Sequence, residues 1–169
     1  MKLTPVRLFV GALTLSAVGL ASTALHEDFV GTAKIPTKND RCTNGFGSTF
    51  KEDGSPVQCG EVITPPQAIV RSLTHIAKDE AGIKACVTGA LSQKEYDLLV
   101  DFTYQYGVAA TCKSSIVRRY NAGNYAQACE AYAQYKYSGG YDCSTPGNRI
   151  CAGVYTRSLA RRDACKAAL

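Results

Sequence analysis

The chain has 169 residues, 46% hydrophobic and 20% charged. That is the length of one domain with one core, and the composition excludes disordered, collagenous and low-complexity chains. Eight cysteines, an even number, point to disulfides in an oxidising compartment. The net charge is only +5, but residues 113–169 hold nine Lys or Arg against three Asp or Glu. This bias suits an anionic polymer such as nucleic acid, anionic lipid or bacterial cell wall without choosing among them.

Residues 1–25 read as an export element. Lys2 and Arg7 form a positive n-region, and Leu8 to Leu25 carries no charge. Gly11, Thr14, Ser16, Gly19, Ser22 and Thr23 dilute its apolar character, so the run sits between a spanning helix and a cleaved signal. We read residues 1–25 as an uncleaved helical anchor. A cleaved signal ending after Ala24 is the alternative. Positive-inside logic puts residues 26–169 outside the membrane.

Residues 28–60 are rich in Gly, Thr, Asn, Asp and Pro, and Asn44-Gly45 is a hairpin signal. A small β-hairpin or three-stranded sheet ending near Cys59 is expected. Thr64-Pro65-Pro66 opens a helix with Ile69, Leu73, Ile76 and Ala77 at helical spacing. Ser92-Gln93-Lys94-Glu95 is a capping box. It leads a helix marked by Tyr96, Leu99, Val100 and Thr103, with Gly107 as its C-cap. Asn124-Tyr125-Ala126-Gln127 is read as a second box, opening an Ala-rich helix that ends at Gly139-Gly140. A loop with Pro146 and Gly147 lies between Cys143 and Cys151. A last helix runs from about Gly153 to Ala168 and carries Arg157, Arg161 and Arg162. The whole is α+β, mostly helical with a small N-terminal antiparallel sheet.

The cysteines never form Cys-x-x-Cys, and neither His26 nor His75 joins a zinc-spaced cluster. A zinc or thioredoxin-type centre is not expected. No Gly-x-Ser-x-Gly elbow or phosphate-binding loop is present. Acid/base chemistry by carboxylates remains. Glu27 ends the apolar segment, where a carboxyl can be screened from water as a general acid requires. Asp40 lies in the Lys38-Asn39-Asp40-Arg41 turn, and Thr43 opens the Thr-Asn-Gly-Phe-Gly strand. Taken singly, each also fits an ordinary structural role.

Their order resembles the phage-type lysozymes, or endolysins, of glycoside hydrolase family 24. That family orders a Glu, an Asp or Cys, a Thr and a Gly-aromatic-Gly strand. His26-Glu27 resembles its His-Glu-Gly helix end, and Thr43-Asn44-Gly45-Phe46-Gly47-Ser48-Thr49 its Thr-Ile-Gly-Tyr-Gly-His-Thr strand. Residues 91–97 and 102–108 resemble its central helix, and Tyr137-Ser138-Gly139-Gly140 its Tyr-Ala-Gly-Gly. Gly153-Val154-Tyr155-Thr156-Arg157 with Arg161-Arg162 resembles its C-terminal Gly-Leu-x-x-Arg-Arg. Asp28 stands where the family has Gly, and Gln105 where it often has Asn. Literal spacing back from Thr43 falls on Thr37. The nearest acid, Asp40, reaches the family's Asp position if the chain gains residues after Glu27 and shortens the turn before Thr43. The weak apolar N-terminus resembles the signal-anchor-release segment of one endolysin subgroup.

The resemblance implies a lysozyme-like fold for residues 26–169. It also implies hydrolysis of the β-1,4 glycosidic bonds of peptidoglycan for host lysis, by a monomer that needs no cofactor or metal and does not bind nucleic acid. Glu27 would protonate the leaving oxygen, while Asp40 and Thr43 hold the attacking water. The two carboxyls would then lie roughly 6.5–9.5 Å apart, the inverting geometry. The protein would be held at the periplasmic face of the host inner membrane by its N-terminal helix, then released to the periplasm. Lytic transglycosylase chemistry on the same substrate, or a tethered wall-binding domain with no activity, are the alternatives. The C-terminal arginines could draw in anionic wall polymer, or form a solvated helix face with ordinary ion pairs. Eight cysteines allow about 105 pairings. Adjacency of the expected elements favours Cys42–Cys59, Cys86–Cys112, Cys129–Cys165 and Cys143–Cys151.

Overall fold

A computed structural model describes residues 5–36 and 40–169. In chain order the elements are β1 (Leu8–Phe9), α1 (Ala17–Glu27), β2 (Val30–Lys34), β3 (Thr43–Gly45), α2 (Pro65–Lys84), β4 (Ala90–Leu91) and α3 (Gln93–Tyr106). There follow α4 (Val108–Cys112), α5 (Ser115–Asn121), α6 (Tyr125–Ala131), β5 (Tyr137–Ser138), β6 (Tyr141–Asp142) and α7 (Ala152–Ala167). The α+β class holds: helices dominate, and every sheet is a small antiparallel pair. The chain forms two units, residues 16–81 and residues 1–15 with 82–169.

In the unit of residues 16–81, Ser16 caps α1 by accepting the Gly19 N–H. β2 pairs with β3 in the register Val30↔Gly45 and Lys34↔Thr43, with a bulge between. On its other side β2 bonds residues 60–63, Ile63 N–H to Gly31 O and Gly60 N–H to Ala33 O. The expected hairpin or three-stranded sheet is thus met by the β2–β3 pair, to which residues 60–63 add backbone bonds without forming a third strand. The Asn44-Gly45 signal marks a turn, because Asn44 and Ser48 exchange both backbone hydrogen bonds around residues 45–47. The Cys42–Cys59 bridge closes this region. Helix α2 starts at Pro65 as expected, with the Gln67 side chain accepting from both Thr64 N–H and Thr64 Oγ1. Its buried face differs from the sequence reading. Ala68, Ser72 and Ile76 are buried, whereas Ile69 and Leu73 are exposed. Ala68 lies so near Gly45 that a Cβ there would sit 3.0 Å from its own. Only a small side chain fits that approach.

In the other unit, α3 crosses the core with Tyr96, Leu99, Val100 and Phe102 fully buried. Its expected capping box is formed, Ser92 and Glu95 each accepting the other's backbone N–H. Phe102 meets the rings of Tyr106, Tyr132 and Tyr135 at 4.5–5.7 Å between centroids. The remaining three disulfides pair as expected, Cys86–Cys112, Cys129–Cys165 and Cys143–Cys151, with Cα–Cα separations of 5.7, 5.3 and 5.0 Å. The second capping box is not made: Asn124 gives no side-chain cap. The Ala-rich helix stops at Ala131. Gly139 and Gly140, both at positive φ, turn the chain between β5 and β6. A Gly-Gly pair supplies the conformation a two-residue hairpin needs.

The uncharged run Leu8–Leu25, expected as one helix, is divided in the folded protein. Leu8 pairs with Leu91 and Phe9 with Ala90, residues 10–12 form a 3-10 turn, and only α1 is α-helical. Just before β1, the Arg7 guanidinium forks onto the fully buried Glu95 carboxylate at 2.7 and 3.0 Å and lies 3.6 Å over the Tyr125 ring. Among the described residues no helix is long and apolar enough to cross a membrane.

The C-terminal arginines are also redistributed. Arg161 is 2% exposed and pairs with Asp101, while its other arm donates to Gln105. Arg157 pairs with the same Asp101 at 2.7 Å. Burial pushes the Asp101 carboxyl up, but the charges of Arg161 and Arg157 outweigh it and hold the group below its ordinary value. Two of the three arginines thus serve a buried ion cluster, neither of the roles expected for them. Arg162, paired with exposed Asp163, fits the solvated-face reading.

Candidate active site

Glu27 is the last residue of α1, half-buried, and its position is fixed by an unusual helix end. Asp28, the C-cap, has φ 50° and ψ 151°, a region almost reserved for glycine. This turn sends the chain directly into β2, and the ring of Phe29 contacts Phe46 of the 45–47 turn, with 5.7 Å between centroids. The turn and α1 thereby approach each other. Gly47, at φ 78°, is so close to Glu27 that a Cβ there would lie 3.0 Å from Glu27 Oε2.

Thr43 begins β3, opposite Lys34 in the ladder. Its hydroxyl donates to Arg41 O at 3.0 Å, so the oxygen's lone pairs remain to accept from a water. Asp40 is exposed, and its Oδ1 accepts the Arg41 N–H at 2.8 Å. Arg41 therefore organises both groups through its main chain. Glu27, Asp40 and Thr43 line one cavity of about 320 Å³, together with Lys34, Gly47 and Thr49. The cavity gathers an acid at a helix end, a second carboxylate on a turn and a hydroxyl on a strand. Such a set can protonate one atom while activating a water. Thr37, the alternative to Asp40, lies outside the described residues.

Sequence reasoning missed two participants. Lys34, on β2 opposite Thr43, adds a cationic side chain to the lining of the cavity, and nothing in its local sequence distinguishes it. Gly47 could have been singled out, because a glycine two residues after Gly45 in a hairpin signals a tight approach.

A profile of the Phage lysozyme family matches residues 26–161. The endolysin of Salmonella phage P22 is 31% identical over 97 residues, 57% of this chain and 66% of that protein. The endolysin of Bacillus phage PZA is 29% identical over 106 residues, 63% of this chain and 39% of that protein. The chain thus spans about two thirds of the first relative and less than half of the second. Among solved structures, an endolysin from Escherichia coli O157:H7 phage FAHEc1 superposes with a TM-score of 0.80 at 27% identity. The match covers 94% of this chain and 97% of that one.

Proposed function

The chain belongs to the phage lysozyme family, and from that premise we propose that it is an endolysin that hydrolyses the β-1,4 glycosidic bonds of peptidoglycan by inversion. The observation that carries the reading is the single cavity shared by Glu27, Asp40 and Thr43. Glu27, protonated, gives its proton to the glycosidic oxygen as the C1–O bond breaks. A water on the opposite face of the sugar attacks C1 and passes a proton to Asp40. Thr43 Oγ1, its own hydrogen committed to Arg41 O, accepts the water's other hydrogen and orients it. The result is a reducing end of inverted configuration rather than an anhydro sugar. Turbidity loss of chloroform-treated cell walls tests this. Glu27→Gln and Asp40→Asn should each lose about 10²–10⁴ in rate, whereas Thr37→Ala should be mild. A folded Glu27→Gln variant keeping more than a tenth of wild-type lysis would refute the acid assignment.

In the same reading, residues 1–25 anchor the protein in the inner membrane, with residues 26–169 on the periplasmic side, and the enzyme is then released. Gly11, Ser16 and Gly19 support this, since each dilutes a segment whose strongly apolar residues contribute only about −0.3 to −0.6 kcal/mol apiece to insertion. Replacing all three with Leu should hold the protein in the membrane fraction and delay lysis. A triple variant that stays soluble and lyses on schedule would exclude the tether.

A further inference from the structure

Where the resembled strand carries Ile and His, this chain carries Asn44 and Ser48, both buried. An isolated Asn in that place would leave an amide without partners at high cost. Arg71 supplies them. It is buried on α2, and its Nη1 donates to Asn44 Oδ1 at 2.8 Å while its Nε donates to Glu52 Oε2 at 3.3 Å. The Asn44 amide in turn donates to Glu61 O at 3.4 Å. One helix thus grips the segment 44–52 at Asn44 and Glu52. Thr43 directly precedes this grip. Gly47, which sits against the Glu27 carboxylate, lies in the loop that Asn44 closes through its backbone bonds to Ser48.

We infer that Arg71 is a positioning residue of the active site: through Asn44 it sets the 44–48 loop that places Thr43 and Gly47 against Glu27. Arg71 does not itself line the cavity, so it acts on the arrangement of the reacting groups and not on substrate contact. The two contacts use two separate N–H groups of one planar guanidinium, a fixed geometry that the point charge of lysine does not reproduce. The inference rests on the muramidase reading above.

The test compares wild type with Arg71→Met, Arg71→Lys, Asn44→Leu and the Arg71→Met/Asn44→Leu double variant. For each, kcat and KM are measured on cell walls, and amide hydrogen exchange is followed at Ser48, whose N–H bonds Asn44 O at 3.0 Å. Arg71→Met should lower kcat by about tenfold, the scale of a sub-ångström misplacement, with KM within about twofold. Ser48 exchange should accelerate while the amides of α3 stay protected. The double variant should be no worse than either single one, since both remove the same hydrogen bond. If Arg71→Met does not fold, Arg71→Lys and Asn44→Leu carry the same expectation. Folded variants with wild-type kcat and unchanged Ser48 exchange would overturn the inference, as would strictly additive losses. Failure of wild type itself to lyse walls would remove the muramidase reading instead, and Ser48 exchange alone would then decide whether Arg71 holds the loop.

Discussion

Gly47→Ala separates two costs that are usually confounded. Position 47 has φ 78° and position 54 has φ 86°. An alanine at either must adopt a left-handed backbone, at about 1–2 kcal/mol. At about 2–4 °C per kcal/mol for a chain of this size, both variants should melt a few degrees below wild type, and by similar amounts. They differ in what the new methyl meets. At Gly54 nothing lies within 4 Å, whereas at Gly47 Glu27 Oε2 lies 3.0 Å away. A methyl carbon that close to a carboxylate oxygen is tighter than almost all real contacts, so the Glu27 carboxyl must retreat by a few tenths of an ångström. The end of a flexible side chain can do so with little loss of stability. If Glu27 is the general acid proposed above, a displacement on that scale should nevertheless cost several-fold in rate, given about 10²-fold for 1 Å. Calorimetry and wall turbidity on the two variants decide the matter. Equal activities at Gly47→Ala and Gly54→Ala would show that the closeness of this turn to Glu27 has no bearing on catalysis.

Other expectations concern stability. Asp28→Gly should relieve a strain of about 1–3 kcal/mol, partly offset by the greater freedom of glycine in the unfolded chain. A net gain of about 1 kcal/mol should raise the melting temperature by about 2–4 °C, and Asp28→Ala should give none. Equal gains from both would locate the effect in the lost charge and not in the backbone. Burial pushes the half-buried Asp79 up to about 6, against about 3.9 in an unfolded chain. The folded state therefore favours the neutral acid, so this group's contribution is best below about pH 4 and worsens as pH rises to about 6. Asp79→Asn should raise the melting temperature at pH 7.5 and leave it unchanged at pH 4. The same gain at both pH values would exclude the burial of a charge as the cause.

Features written within a few residues were legible. The Ser92–Glu95 box, the Thr64-Pro65 helix start and the turn at Asn44-Gly45 all form where local chemistry puts them. The disulfides followed from adjacency of those elements. Features set by distant partners were not legible. Arg161 reads as a surface residue until Asp101, 60 residues away, is placed beside it. Ile69 and Leu73 have helical spacing, but Gly45 selects the smaller Ala68 for the inward face. Leu8 and Phe9 become a strand only because Leu91 and Ala90 offer an edge. The Asn124 box failed because its backbone, at φ −89° and ψ 64°, departs from the extended geometry of a cap. At the candidate site the residue types were legible. Their shared cavity depends on the turn at Asp28 and the approach of Gly47, neither of which has a local signature for its partner.

The docking of Arg7 on Glu95 bears on how the chain can be trimmed. The family match begins at residue 26, which invites expression of residues 26–169 alone. That cut would remove β1 from the edge of β4, and with it the cation that forks onto Glu95. The carboxylate, fully buried, would keep only its neutral donor at Ser92. Stripping one partner from a buried ion pair costs about 3–5 kcal/mol, a large share of the stability of an ordinary domain. Since Glu95 also closes the capping box of α3, the damage would fall on the central helix of its unit. A shortened form would thus melt early although every residue of its cavity is retained. Recombinant boundaries for this chain belong upstream of Arg7.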